Sequence, residues 1–271
     1  LEKAKPSTAV AAAVVLANHR QLDPRSTRLD QLLADPDPTV ASLAWRAALV
    51  TDSGAAKAAP ERPFKRAVAA ESPGLRAAAW QAAAWTGQAQ ALPPLRQAAA
   101  AGDAVALHWL AILGAPDDAP LLQKAALAMS DAQARCDLLA RFGHPSALNA
   151  LVRWMGGEDV ALAHASGEAF TRITGIEIRG ERRTLPVAAD ADDFTREMAP
   201  DIWMPDVKKA RAMMERHASD WSAGERWCAG RRLDDGVPRE QLPLLDLEAR
   251  WDVAARAALA GRPVSAPPPI H

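Results

Sequence analysis

The chain has 271 residues, enough for one elongated domain or two small ones with a sizeable core. Its 32 Lys and Arg residues nearly balance its 33 Asp and Glu residues, and no block of five like charges occurs. The composition therefore excludes an overall basic face of the kind that nucleic acid or anionic membranes require. Alanine dominates the hydrophobic residues and strand-forming stretches are sparse, which favours an all-α fold.

The first apolar stretch, residues 10–17, is too short to span a membrane and lacks a small-residue cleavage pattern after it. We interpret it as a core helix, with no export signal and no membrane partner. The two cysteines, Cys136 and Cys228, lie at no metal-binding spacing and are predicted to be small apolar core residues. This pattern favours a reducing, cytoplasmic location.

Helix breakers then divide the chain into helix-sized pieces. The Asp-Pro-Asp-Pro sequence at 35–38 separates one helix from another that begins near Thr39. Ser72 is a predicted N-cap, with Pro73 at the first helical position of the next helix. The Gly-x-Pro sequences at 114–116 and 143–145 each predict the end of one helix and the start of another.

The predicted turns recur with a regular spacing. Turn glycines at 87, 114, 143 and 175 are separated by 27, 29 and 32 residues, with two helices in each period. An earlier unit, 39–68, fits the same period with an irregular turn at Ser53-Gly54. A period near thirty residues predicts an α-solenoid of stacked helical pairs. Tryptophans recur at one phase of the repeat and are predicted to fill its core: Trp45, Trp80 and Trp109.

These repeats resemble short HEAT repeats of the phycobilisome-lyase type. Residues 36–260 are more narrowly similar to an uncharacterised proteobacterial HEAT-repeat family, through Gly-Glu-Ala-Phe-x-x-Ile-Thr-Gly at 167–175. A Pro205-Asp206 turn, a helix with Trp221, Gly-Arg-Arg-Leu at 230–233 and a final Ala-rich helix support the similarity. Leu233 departs from the aromatic residue expected there. Members of that family are sometimes encoded near type VI secretion clusters.

The pattern changes after Gly175. We predict a HEAT-like solenoid over 1–178 and a polar connection over 179–204, with a short hairpin-like excursion at 176–178. A C-terminal helical cap over 205–262 would contain helices near 206–217 and 242–260. The proline-rich tail, 263–271, is predicted to be disordered.

No catalytic, cofactor-binding or metal-binding motif is present, and the chain is predicted not to be an enzyme. Glu168 is the most unusual carboxylate, because it follows Gly167 inside an apolar helix and would be half-buried, with Arg172 as its partner one turn later. It is read either as a general base or binding anchor, or as a hydrogen-bond anchor between repeats.

An extended concave surface predicts that the chain binds another protein. The balanced charge predicts no nucleic-acid partner. Acidic residues outnumber basic ones, 14 against 9, between positions 101 and 200. The candidate partner-binding residues are Asp131, Asp137, Glu158, Glu168, Arg231 and Arg232. Trp203, Trp221 and Trp227 cluster nearby in the sequence, where tryptophan serves either as core or as an interface anchor.

The leading functional hypothesis is a non-catalytic protein-binding module. The resemblance implies an adaptor, a chaperone-like protein or an immunity protein that binds a bacterial secretion-system effector or component. Two alternatives stay open: a bilin-lyase-like HEAT-repeat enzyme, and a purely structural oligomerisation scaffold.

Overall fold

The computed structural model describes residues 5–19, 21, 27–50, 61–184, 187, 190, 192–221, 224–233 and 237–264. These residues are mostly helical, with only short strands among them, so the predicted helical fold class is confirmed. The predicted turn at Ser53-Gly54 and most of the predicted tail lie outside the described residues. Among the described helices, none combines the length and the apolar character needed to cross a bilayer.

The chain forms two compact units, and one of them is discontinuous in sequence. The first unit comprises Leu1–Leu113 and Pro238–His271, and the second comprises Gly114–Val237. These boundaries differ from the predicted ones at 178 and 204, which place the last two helices together in one segment, 205–262. These two helices belong to different units. The sequence does not indicate this, because long-range packing leaves no mark on local helical periodicity.

The first unit is a row of helices with one later helix added. Its helices are α1 (Pro6–Asn18), α2 (Thr27–Leu33), α3 (Pro38–Val50), α4 (Glu61–Val68), α5 (Pro73–Trp85), α6 (Leu92–Ala100), α7 (Ala104–Leu113) and α14 (Leu247–Leu259). Helix α3 packs between α1 and α5, and α5 also packs against α7. The helices α2, α4 and α6 pack beside α3, α5 and α7, respectively.

Alanine and tryptophan build the core of this row. Trp45 and Trp80 are each 1% exposed, and the ring of Phe64 meets both of them edge-on. Trp109 is also buried, so the predicted core role of the repeating tryptophans is confirmed. The predicted N-cap is confirmed as well, because the Ser72 hydroxyl accepts a hydrogen bond from the Leu75 amide.

The C-terminal helix α14 completes the first unit by packing on α5 and α7. The Trp251 ring meets the Trp85 ring edge-on, with 6.2 Å between the ring centres. A Cβ atom built on Gly87 would lie 3.4 Å from the carbonyl oxygen of Ala258. The helix begins at the N-cap Asp246, whose carboxylate accepts from the Ala249 amide. Helix α14 is thus a structural member of the first unit.

In the residues that the structure describes, the second unit combines helices with two small β-pairs. Its elements are α8 (Ala119–Ala128), α9 (Ala132–Phe142), α10 (Leu148–Met155), α11 (Val160–Thr174), β1 (Arg179–Thr184), α12 (Asp193–Glu197), β2 (Asp201–Pro205), α13 (Val207–Arg216), β3 (Trp227–Cys228) and β4 (Arg231–Arg232). Helix α11 is central, because it packs against α9, α10, β2 and β3.

The segment predicted as a polar connection contains regular structure. Strand β1 pairs antiparallel with β2, and Arg182 lies opposite Trp203 in the register. Nearly all of β1 is exposed, so its sequence, Arg-Gly-Glu-Arg-Arg-Thr, carries no alternation of apolar and polar residues. The predicted excursion at 176–178 precedes this pair and forms no strand of its own. Backbone pairing, and not an apolar face, therefore defines this ribbon.

Candidate functional site

The candidate site lies on and around α11. The carboxylate of Asp159 caps the start of this helix by accepting from the Leu162 amide. Gly175 ends the helix in the left-handed conformation, at φ 70°, as the sequence predicts. The Gly-Glu-Ala-Phe-x-x-Ile-Thr-Gly element therefore occupies the second half of α11. Gly167, Phe170 and Gly175 of this element each contact a different part of the second unit.

Gly167 is the point at which β2 approaches α11. A Cβ atom at this position would lie 2.8 Å from the Cβ of Pro205, closer than real Cβ atoms come. One turn further along, the buried ring of Phe170 meets the ring of Trp221 edge-on, at 6.3 Å between centres. The glycine thus allows β2 to dock directly on the helix.

The turn between β3 and β4 packs against Gly175, at the end of α11. The Ala229 amide donates to the Arg172 carbonyl at 2.6 Å, and the Gly230 amide donates to the Ile173 carbonyl at 3.1 Å. These bonds satisfy carbonyl groups at the end of α11. A Cβ on Gly175 would lie 2.7 Å from the Ala229 carbonyl atoms. The sequence elements behind the HEAT-repeat resemblance are therefore packing partners of one another.

Arg226 fixes the same segment to α9. Its side chain is 1% exposed, and its Nε and Nη1 donate to the carbonyls of Phe142 and Gly114 at 2.5 and 2.6 Å. The adjacent Trp227 amide donates to the Gly143 carbonyl at 2.7 Å. A cation at a helix C-terminus is favoured by the helix dipole. Nothing in the local sequence marks Arg226 as important, because its contacts join residues far apart in the chain.

A small surface pocket opens beside Glu168. Its volume is about 60 Å³, and Nδ1 of His164 lies 3.2 Å from the Trp203 carbonyl at its wall. Its lining is shared by α11, the segment before β1 and β2: His164, Gly167, Glu168, Thr171, Glu177, Ile178, Arg179, Trp203, Met204 and Pro205. Such a pocket admits a side-chain tip, whereas ligand pockets usually measure about 300–1,000 Å³.

The structure corrects the expected surroundings of Glu168. The side chain was predicted to be half-buried and paired with Arg172, but it is exposed. It forms no hydrogen bond or ion pair with any residue that the structure describes. The prediction placed Glu168 on the buried face of α11, but it is Gly167 that lies against the docked β2 strand. Solvation therefore replaces the internal partner that a buried carboxylate would need.

Trp203 is the prominent side chain at the edge of this pocket. It is 45% exposed, and the Arg182 guanidinium lies over its ring at 5.3 Å from the centre. We call Trp203, Arg182, His164 and Glu168 the Trp203 surface. Phe194 and Met198 lie in the segment between β1 and β2, and their large apolar side chains are strongly exposed, at 71% and 65%. Of the three tryptophans noted in the sequence, Trp227 is buried and Trp221 is half-buried.

The three acidic candidates near α9 and α11 occupy different local settings. Asp131 is the N-cap of α9, and its carboxylate accepts from the Ala134 amide at 2.6 Å. Asp137 is half-buried on the same helix and accepts from the Gln133 side chain. Glu158 is exposed in the turn before α11. The Asp131 side chain therefore has a structural role besides its charge.

The two basic candidates lie on β4. Arg231 is half-buried there, and Arg232 is exposed. The Nε of Arg232 pairs with the Glu225 carboxylate at 3.0 Å, and its guanidinium lies over the Trp227 ring at 5.6 Å. These contacts hold Arg232 against its own hairpin.

Within the described residues, no group of three or more His, Cys, Asp or Glu side chains is arranged to hold a metal ion. The buried Cys136 Sγ lies 3.5 Å from the Ser166 Oγ, between α9 and α11. Burial raises the pKa of the Cys136 thiol, although the Ser166 hydrogen bond opposes the shift.

Comparison of the chain with protein-family models finds no match, and comparison with curated protein sequences finds none either.

Proposed function

We propose that this chain is a non-catalytic protein-binding module and that the Trp203 surface is its contact region. The carrying observation is Trp203 itself, an aromatic side chain left 45% exposed on a strand that is held against α11. Tryptophan and arginine are the residues most enriched among the energetic centres of protein interfaces. Arg182 stacked on Trp203 supplies both in one place.

The anchoring of β2 supports this proposal. Pro205 packs against Gly167, and the Trp203 carbonyl lies next to His164, so the backbone that carries the indole is fixed before any partner arrives. A fixed aromatic side chain loses little conformational entropy on binding. A partner would gain the apolar contact with Trp203 and could approach the exposed carboxylate of Glu168.

The arrangement of the first unit supports a solenoid of short HEAT-like pairs as the scaffold. The helices α1, α3, α5 and α7 pack in sequence order, and α3, α5 and α7 each have a second helix beside them. In such repeats each pair buries its apolar face only against its neighbours. The resemblance stated from the sequence then adds the class of partner: an effector or component of a bacterial secretion system. The chain would act on it in the cytoplasm as an adaptor, chaperone-like protein or immunity protein.

The test is capture of a defined partner. The tagged protein is co-expressed with the products of its neighbouring genes, and each captured protein is purified and its dissociation constant measured. We expect Trp203→Ala to weaken binding by about tenfold or more, as for an interface centre. Leu127→Ala is the matched control, because Leu127 is an exposed large apolar residue on α8 of the same unit, at 64% exposure.

Two results would overturn the proposal. One is the absence of any purified neighbour that binds with a measurable dissociation constant. The other is a partner whose affinity falls equally little in Trp203→Ala and Leu127→Ala. Circular dichroism of both variants checks that the helical fold is retained, so that a loss of binding reports on the surface.

A further inference from the structure

A second concave surface of the second unit lies between α10 and α13, which pack against each other. This α10–α13 groove has a volume of about 530 Å³, large enough for several side chains. Its lining comes from both helices and from residues just after them, and it includes Val152, Arg153, Arg211, Met214 and Glu215. The groove was not anticipated from the sequence.

The groove has an apolar floor. Val152 is buried at 6% exposure, and Met214 is half-buried beside it. Val152 belongs to α10 and Met214 to α13, so each helix contributes apolar surface to the groove. Methionine adapts its shape to apolar partners more readily than branched residues do. The floor therefore offers apolar contact to an incoming side chain.

The rim of the groove is basic. Arg153 and Arg211 line it from opposite helices, and both are exposed. Neither guanidinium forms a hydrogen bond or ion pair with any residue in the described part of the chain. Glu215 is the carboxylate among the lining residues. Lys208 lies one turn before Arg211 on α13, outside the lining residues.

This local charge contrasts with the balanced composition of the chain. Helix α13 reads Val-Lys-Lys-Ala-Arg-Ala-Met-Met-Glu-Arg, with four cations and one carboxylate in ten residues. The whole chain has a formal net charge of −1. Unpaired surface cations attract anionic partners and raise their association rates. The charge of the rim and the apolar floor together limit the chemistry of a fitting ligand.

We propose that the α10–α13 groove binds an acidic amphipathic segment of a partner protein, with its apolar side chains on Val152 and Met214 and its carboxylates on Arg153 and Arg211. The inference rests on the proposed protein-binding function and adds the chemistry of the bound segment. Phosphates of a nucleic acid could pair with the same arginines, but they would leave the apolar floor uncovered. An amphipathic helix satisfies both features, as in other helix-in-groove interfaces.

The test uses a fluorescent peptide of about 15 residues, with leucines at helical spacing and glutamates on both flanks. Binding to the full chain is measured by fluorescence anisotropy. The comparison ligands are the same peptide with lysine in place of glutamate, and a DNA duplex of about 15 base pairs. We expect the acidic peptide to bind, and the lysine peptide and the duplex to bind at least about tenfold more weakly.

Variants assign the binding to the groove. Arg211→Glu should weaken binding of the acidic peptide by about tenfold, and Met214→Gln by about threefold through loss of apolar contact. Lys124→Glu is the matched control, because Lys124 is an exposed helical cation of the same unit, outside the groove, and the charge change is equal. It should change the affinity by less than about twofold.

Equal effects of Arg211→Glu and Lys124→Glu would overturn the proposal, and so would duplex DNA that binds more tightly than the acidic peptide. These failures are distinguishable from failure of the proposed function. If the acidic peptide does not bind but a purified partner still depends on Trp203, the groove proposal falls and the binding-module proposal stands. The Tm of each variant is measured separately, so that unfolding is not mistaken for weaker binding. Arg211→Lys is a second variant that keeps the charge and should retain most of the affinity.

Discussion

The guanidinium carbon of Arg226 lies 4.5 Å from the centre of the Phe142 ring, and its Nε donates to the carbonyl oxygen of the same residue. One buried side chain thus covers the last aromatic residue of α9 and satisfies its backbone. The contact joins residues 84 positions apart. It secures the 224–233 segment, whose turn between β3 and β4 closes the end of α11.

Replacing Arg226 should therefore destabilise the second unit. Arg226→Leu leaves the buried carbonyls of Phe142 and Gly114 without their donor, and we expect a loss of about 3 kcal/mol. Hydrogen exchange of the 224–233 segment should accelerate, because without the Arg226 anchor the Trp227 and Ala229 amides separate more often from the Gly143 and Arg172 carbonyls. Arg232→Leu is the control, since its ion pair is partly exposed and should contribute less than about 1 kcal/mol. Equal losses in the two variants would contradict this role of Arg226.

A methyl group at Gly167 should force β2 away from α11. The Cβ of Gly167→Ala would lie 2.8 Å from Pro205, and overpacking of this kind costs about 1–3 kcal/mol. Pro205→Gly removes the opposing ring, so the double variant should recover part of the loss in a double-mutant cycle. Gly156→Ala is the control, because its Cβ would have only an ordinary contact at 3.7 Å. Chemical denaturation measures the free energy of unfolding of the wild type and of each variant. Strictly additive losses for Gly167→Ala and Pro205→Gly would contradict direct packing.

The carboxylate of Asp131 should matter for stability through its cap and not through its charge. Asp131→Ala removes the acceptor for the Ala134 amide and should cost about 1 kcal/mol. Asp131→Asn keeps an oxygen acceptor and should cost only a few tenths of a kcal/mol. Binding tests of the acidic residues therefore require Asp131→Asn, since charge reversal would also uncap α9. Thermal denaturation distinguishes these outcomes, and equal Tm values for the Ala and Asn variants would contradict the cap.

Cys136 should make stability depend on alkaline pH. Because burial raises its pKa above the ordinary value of 9.0, the folded state holds the thiol proton at a pH where the unfolded state releases it. The contribution of this group is complete below pH 9.0 and is lost as the pH rises towards the raised pKa. Above pH 9.0, the free energy of unfolding of the wild type should thus fall more steeply with pH than the free energy of unfolding of Cys136→Ala. Parallel curves would contradict the shift.

Local sequence rules predicted the ends of several helices correctly. The Ser72 cap and the left-handed glycines at 143 and 175 follow from backbone geometry within a few residues. The buried tryptophans at 45 and 80 follow from the period of the repeat. Each of these features depends on neighbours in the sequence, and therefore the sequence carries a readable signal for it.

The features that define the candidate surfaces depend on distant residues instead. The exposure of Trp203 results from pairing β2 with a polar strand, and nothing in the Asp201–Pro205 sequence distinguishes an exposed tryptophan from a buried one. The basic rim requires α13 to pack beside α10, which brings Arg211 and Arg153 to one groove. The net charge of −1 sums over the whole chain, so it gives no indication of this local group of cations.

The discontinuity of the first unit has a consequence for biosynthesis. Trp251 meets Trp85, yet it is translated 166 residues later, after the whole of the second unit. The α5 and α7 surfaces that α14 covers must remain without that cover on the nascent chain while the ribosome completes Gly114–Val237. The second unit can finish folding first, although its synthesis begins later. A chain truncated before residue 247 would thus contain the whole of the second unit, whereas its first unit would lack α14.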